Sequence, residues 1–210
     1  MAGLVCSGMN SNRTAGASSA VPSATVSSPV SPPAQLLTGA TASPRAVSIG
    51  LLILRLAVGA AILQAGLIKA FDFSTTVGFM AEAGWRLPGL AAFMVTAAET
   101  LGGVGLLLGA LTPLAACAVL SAMLCAWAVN VSGAAFWSEP FNVPFLIGLG
   151  AAALLFTGAG AYAVDRRLSA RLSPTPRMSV LLLAVAVGAA VVTWIALYGV
   201  NPIHFTNPAS

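Results

Sequence analysis

The chain has 210 residues, of which 58% are hydrophobic and only 7% charged, against about 25% charged in ordinary soluble domains. A water-soluble fold of this length cannot hide so much apolar surface, so an integral membrane protein is expected, with the lipid bilayer as its first partner. Nine Lys and Arg against five Asp and Glu leave a net charge of +4; in so apolar a chain that excess is a topology signal and not a nucleic-acid footprint.

Residues 1–45 are rich in Ser, Ala, Thr and Pro, carry little charge and show no periodicity. They read as a disordered tail, without the charged start and apolar run of a signal peptide. From Gly50 to Phe71 the sequence GLLILRLAVGAAILQAGLIKAF is long enough to cross a bilayer core, and span 1 is expected over about Ala46 to Ala70. Helical spacing places Arg55, Gly59, Ile62, Gly66 and Lys69 on one face of it. Glycines there admit a close neighbour, and an arginine so deep needs a partner.

A loop is expected from Phe71 to Arg86, with Trp85 as an interfacial anchor. Span 2, about Leu87 to Ala110, holds one acid, Glu99, and then Gly102, Gly103, Gly105 and Gly109. Span 3 covers about Thr112 to Val131, with Cys117 and Cys125 about 80° apart around a helix; small buried hydrophobes are their expected role, a redox pair the minor alternative. Span 4 is placed at about Phe141 to Ala163, followed by the basic stretch Asp165-Arg166-Arg167 to Arg177. Span 5, about Ser179 to Tyr198, is uncharged, and the short tail 201–210 contains His204, the only histidine.

The fold class expected is therefore an all-α membrane protein: a four-helix transmembrane bundle over 46–168, a basic linker over 169–178, and a fifth C-terminal transmembrane helix over 179–200. The positive-inside rule puts Arg166, Arg167, Arg171 and Arg177 in the cytoplasm, hence the N-terminus inside and the C-terminus outside. No histidine falls within a span, so a His-ligated haem is not expected in the bilayer, and no Cys/His cluster suggests a metal. Arg55, Lys69 and Glu99 are the candidate polar seam. Arg55 is expected to pair with Glu99 across spans 1 and 2, and Lys69 to meet Asp72 or Glu82. Either the pair staples two helices, or these charges line a cavity for an anionic or redox-active small molecule.

Four landmarks together resemble the DoxX family of small bacterial membrane proteins. They are Leu54-Arg55-Leu56 with Gly59 and Ala65-Gly66-Leu67-Ile68-Lys69, then Ala98-Glu99-Thr100-Leu101-Gly102-Gly103, Thr157-Gly158-Ala159-Gly160, and Asp165-Arg166-Arg167-Leu168. The resemblance spans about residues 46 to 168. It implies a four-helix bundle at the bacterial plasma membrane and a link to sulfur and redox metabolism, in which Arg55, Lys69 and Glu99 match the recurrent charged positions. Histidines common in the family are replaced by Ala65 and, near the end of span 3, by Asn130 or its neighbours. The function implied is an accessory subunit of a redox or sulfur/oxidative-stress oxidoreductase assembly, with soluble redox or sulfurtransferase partners at the cytoplasmic face. The alternatives are a quinone-reactive catalytic subunit, with quinone as its cofactor, and a small-solute transporter.

Overall fold

The computed structural model describes residues 43–133, 143–165 and 175–198. The N-terminal tail, Arg166, Arg167, Arg171 and His204 lie outside the described residues. Six helices are present among the described residues: α1 Pro44–Phe71, α2 Phe73–Glu82, α3 Pro88–Leu108, α4 Thr112–Gly133, α5 Val143–Thr157 and α6 Pro176–Leu197. Of these, α1, α3, α4 and α6 are long and apolar enough to cross a membrane, and α5 is a shorter apolar helix.

Helix boundaries follow from local chemistry. The Ser43 side chain accepts a hydrogen bond from the Ala46 amide and Pro44 occupies the first turn of α1, where a missing N–H costs nothing. Thr175 and Pro176 repeat the device at α6. Gly109 ends α3 in the left-handed region, φ +66°, the usual glycine solution at a helix C-terminus.

Two expectations about the extent of the elements need correction. The segment read as a loop from Phe71 to Arg86 contains α2, because the Asp72 carboxylate accepts from the Thr75 amide at 3.2 Å and the Ser74 hydroxyl at 3.1 Å, a side-chain cap that starts a helix. The fourth span stops at Thr157, not Ala163. Gly158 and Gly160 take φ of +76° and +74°, and the chain beyond α5 turns into the bundle, where its carbonyls meet Arg55. With 15 residues, α5 is only roughly 22 Å long.

Helices α1 and α3 lie antiparallel at close range. A Cβ on Gly66 would fall 2.6 Å from the Thr100 amide nitrogen, and one on Gly103 would fall 2.7 Å from that of Leu63. Only glycine permits this approach, and it fixes the register: Gly59 lies beside Leu107, Leu63 beside Gly103, Gly66 beside Thr100. Val119 of α4 packs on Gly102 in turn, and α5 closes the bundle against α4 and α1. Ile62, Leu106, Val119, Leu154 and Leu155 form a core that is almost wholly buried. Exposed apolar residues such as Ile53, Leu101 and Ile195 cover the outer faces, as a bilayer requires.

Helix α6 packs on α4 and α5 from outside the four-helix bundle. It runs parallel to α4, since the Cys117 thiol donates to the Leu182 carbonyl at 3.4 Å and the Cys125 thiol to the Ala190 carbonyl at 3.7 Å. Its far end joins the segment after α2: the Arg86 amide donates to the Leu197 carbonyl at 2.7 Å, and Trp85 packs against Trp194 and Tyr198. Trp85 is thus buried in an aromatic cluster at the end of the bundle, where a lipid-exposed anchor had been expected.

Candidate functional site

The helix register separates the three candidate charges into two stations. With Gly66 beside Thr100, Glu99 stands level with Leu67, twelve residues and roughly 18 Å from Arg55 along α1. An Arg55–Glu99 pair is ruled out by that distance. The expectation had placed Glu99 by counting from the start of span 2, which ignores how far α3 extends past the end of α1.

Arg55 lies at the end of the bundle formed by the start of α1, the end of α3, the start of α4 and the chain after α5. It is 2% exposed. Its Nη1 donates to the Ala159 carbonyl at 2.6 Å and its Nη2 to the Tyr162 carbonyl at 2.8 Å. The guanidinium rests on Gly109, where a Cβ would fall 2.6 Å from Nη1. Asp165, buried nearby, acts on it electrostatically while its two carboxylate oxygens accept from the Leu111 and Thr112 amides at 2.6 and 2.8 Å. Asp165 therefore caps α4 across more than fifty residues of sequence and supports Leu111, a non-glycine residue held at φ +50°. The contacts made by both Nη atoms are internal, Arg55 Nε and the Thr112 hydroxyl are buried without a partner, and the station works as a clamp on four helix ends. The sequence reading had counted Asp165 only as part of the basic stretch; an acid placed beside the orphan amides of a helix N-terminus could be found only once the ends were known to meet.

Lys69 and Glu99 form the other station. The Lys69 ammonium contacts Glu99 Oε2 at 2.6 Å; the Glu99 side chain is 2% exposed and that of Lys69 29%. It is the only ion pair within 4 Å among the described residues. Asp72, one partner expected for Lys69, is instead spent on capping α2.

This pair stands on the wall of a cleft of about 650 Å³, within the usual range for small-molecule sites. Its floor is α4, from Leu114 through Cys117, Ser121 and Cys125 to Asn130; its walls are α3 and α6, and α2 with Trp85 covers one end. The floor residues recur every three or four positions along roughly 24 Å of helix. Polar groups are uneven along it. Thr75, Thr76, Trp85 and Asn130 gather near α2, Lys69 and Glu99 stand midway, and the far end is made of Leu114, Cys117 and Ala118, with Ala186 of α6 level with Ser121. Met94 and Leu114 at the rim are exposed on the apolar surface, so the cleft opens sideways toward lipid. No group of three or more His, Cys, Asp or Glu that could hold a metal occurs among the described residues. The two cysteines, eight residues apart on α4, are both free and each is tied to α6.

Comparison with known proteins places this architecture. No curated protein and no solved structure matches the chain. The DoxX family model matches residues 50–133, from the second turn of α1 to the end of α4, so α5 and α6 lie beyond the match. Both Lys69 and Glu99 fall inside it, whereas Ala186, Ala189 and Thr193, the α6 wall of the cleft, do not. The chain is a multi-pass membrane protein that carries a match to the DoxX family over residues 50–133.

Proposed function

We propose that this protein is the membrane subunit of a bacterial plasma-membrane redox assembly, accessory to its electron-transferring partners, and that it holds a lipid-soluble quinone in the cleft beside Lys69 and Glu99. The observation that carries the reading is the cleft itself: an elongated apolar groove open to lipid with one ion pair on its wall. A quinone has the matching chemistry. Its carbonyl oxygens accept hydrogen bonds from an ammonium, and the hydroxyls of the reduced form donate to a carboxylate, so Lys69 and Glu99 together serve both forms. Reduction takes up two electrons and two protons. The pair is suited to hold or pass the protons, while the electrons come from a soluble redox partner. In this reading Arg55 binds no ligand.

The orientation supports a cytoplasmic partner. Arg45 in the first turn of α1 and Arg177 in the first turn of α6 lie at the same end as the Arg55 clamp, because α1, α4 and α6 run in one direction. The positive-inside rule places that end in the cytoplasm and the Trp85 end outside. Purification from native membranes in mild detergent, with mass spectrometry of retained proteins, lipids and quinones, tests the proposal. Quinone retained together with an oxidoreductase or sulfurtransferase is the expected result. A solitary, quinone-free protein whose reconstitution gives solute flux abolished by Glu99→Gln would replace the redox reading with transport.

A further inference from the structure

Hydroxyls on helices in an apolar setting bond back to the carbonyl four residues earlier, as those of Ser48, Thr76 and Thr157 do at 2.9, 3.0 and 2.7 Å. Ser121 on α4 and Thr193 on α6 do not. Among the described residues neither hydroxyl has a hydrogen-bond partner, and neither oxygen is sealed from the surface. An unpaired hydroxyl at membrane depth is costly. Thr96, Thr100 and Thr112 lack partners as well, but their oxygens are shut inside the packing, where no ligand reaches them. Ser121 and Thr193 are only partly buried and both line the cleft. On side chains so short, a hydroxyl lies within reach of whatever fills it.

The two hydroxyls stand at different heights. Gly102 packs on Val119 and Gly105 on Ala115, so Glu99 is level with Ser121 and Ala122. The contacts of Cys117 with Leu182 and of Cys125 with Ala190 set Thr193 level with Ala128, roughly 10 Å beyond Ser121 toward α2. Between these levels α4 and α6 line the cleft with Ala122, Cys125, Ala126 and Ala189, all small, and leave a slot that suits a flat ring. Resting on the quinone reading above, we infer that a para-quinone lies lengthwise in this slot, one carbonyl at Ser121 beside the Lys69–Glu99 pair and the other at Thr193. Its two carbonyl oxygens stand about 5 Å apart, and a hydrogen bond of about 2.8 Å at each end makes a span of roughly 11 Å. That span matches the spacing of the hydroxyls. A hydroxyl donates to a quinone carbonyl and accepts from the hydroxyl of the reduced form, so Ser121 and Thr193 serve both states. The tail follows the apolar end of the cleft past Ala118 and Leu114 into lipid.

The experiment titrates the full-length protein in lipid nanodiscs with two radiolabelled quinones of the same ring and tail, one the para isomer and one the ortho. Uptake by protein-free nanodiscs is subtracted. Adjacent carbonyls cannot reach both hydroxyls, so the para isomer should bind about five- to ten-fold more tightly. Ser121→Ala should weaken both isomers. Thr193→Val keeps the shape and removes the hydroxyl; it should weaken only the para isomer, by the same factor, and so erase the difference. Thr96→Val, which removes a sealed hydroxyl, should change neither. If Ser121→Ala or Thr193→Val binds the para isomer as the unaltered protein does, or if the unaltered protein binds both isomers equally, the lengthwise placement is wrong and the quinone reading stands. If the unaltered protein binds neither isomer, the quinone reading itself falls. Unchanged melting temperatures certify that each variant is folded, and Thr193→Ala replaces Thr193→Val should the branched residue prevent folding.

Discussion

The buried charges have different tasks, and the difference lies in what each touches. Arg55 meets backbone carbonyls and a buried aspartate that is itself engaged with amides; Lys69 and Glu99 meet each other on a cavity wall. A partly buried lysine over a buried glutamate is a poor way to gain stability, since apolar residues of similar volume would serve as well. Breaking only one side should be worse than removing both. Lys69→Met should lower unfolding free energy by about 3 kcal/mol, and adding Glu99→Met should recover most of that loss, as read by chemical denaturation in detergent. A double variant as unstable as the single would show that the pair is a structural staple. At the clamp, Asp165→Ala strands two amides and removes the charge facing Arg55, so a loss of about 2 kcal/mol is expected in the same assay. Stability unchanged in that variant would remove the clamp from the account.

At the scale of helices, glycines set the spacing and the sequence shows where they are but not which ones matter. The face carrying Arg55, Gly59, Ile62 and Gly66 is legible from helical periodicity and is buried as expected. The partner of that face is not legible, because it depends on a register fixed only by contact of Gly66 and Gly103 with the opposite backbone. Gly103→Val should therefore force α1 and α3 apart and lower the melting temperature by at least several degrees. Gly50 and Gly78, where an added Cβ would meet nothing within 4 Å, should respond in the opposite sense to alanine, gaining about 0.5–1 kcal/mol each from helix propensity. A destabilised Gly78→Ala would contradict the α2 geometry. Helix α2 also carries a pH dependence. Hydrogen bonds from Thr75 and Ser74 hold the Asp72 carboxyl below its ordinary range, so its folded pKa lies under the unfolded value of about 3.9. The cap's contribution is present above that value and is lost as pH falls through the folded pKa. Hydrogen exchange at the Thr75 and Thr76 amides, corrected for intrinsic rates, should accelerate only below about pH 4; equal protection at pH 3 and pH 6 would argue against the cap.

Among the described residues a four-helix bundle of α1, α3, α4 and α5 carries α2 at one end and α6 on its side, and the addition of α6 makes the cleft. Hydropathy alone gave five spans and the all-helical class, because twenty apolar residues in a row admit few other structures. It did not give the cleft, whose parts come from α2, α3, α4 and α6 and converge only through packing. Trp85 illustrates the point. As a lone aromatic before a span it reads as a membrane-interface anchor, and only its contacts with Trp194 and Tyr198 turn it inward. The Asp165 cap and the shortened α5 were hidden for the same reason: both are set by where the chain returns, not by local composition.

The central claim is that a quinone occupies the groove between α3 and α6, and photochemical labelling locates it most directly. A quinone with a photoreactive group at the end of a short tail would be irradiated in native membranes and the labelled peptides sequenced. The account predicts saturable labelling of α4 between Leu114 and Ser121 and of α6 near Ala186, competed by unlabelled quinone and reduced in the Lys69→Met, Glu99→Met double variant. Labelling confined to outer residues such as Ile53, Leu101 and Ile195, or labelling that excess quinone does not compete, would contradict it.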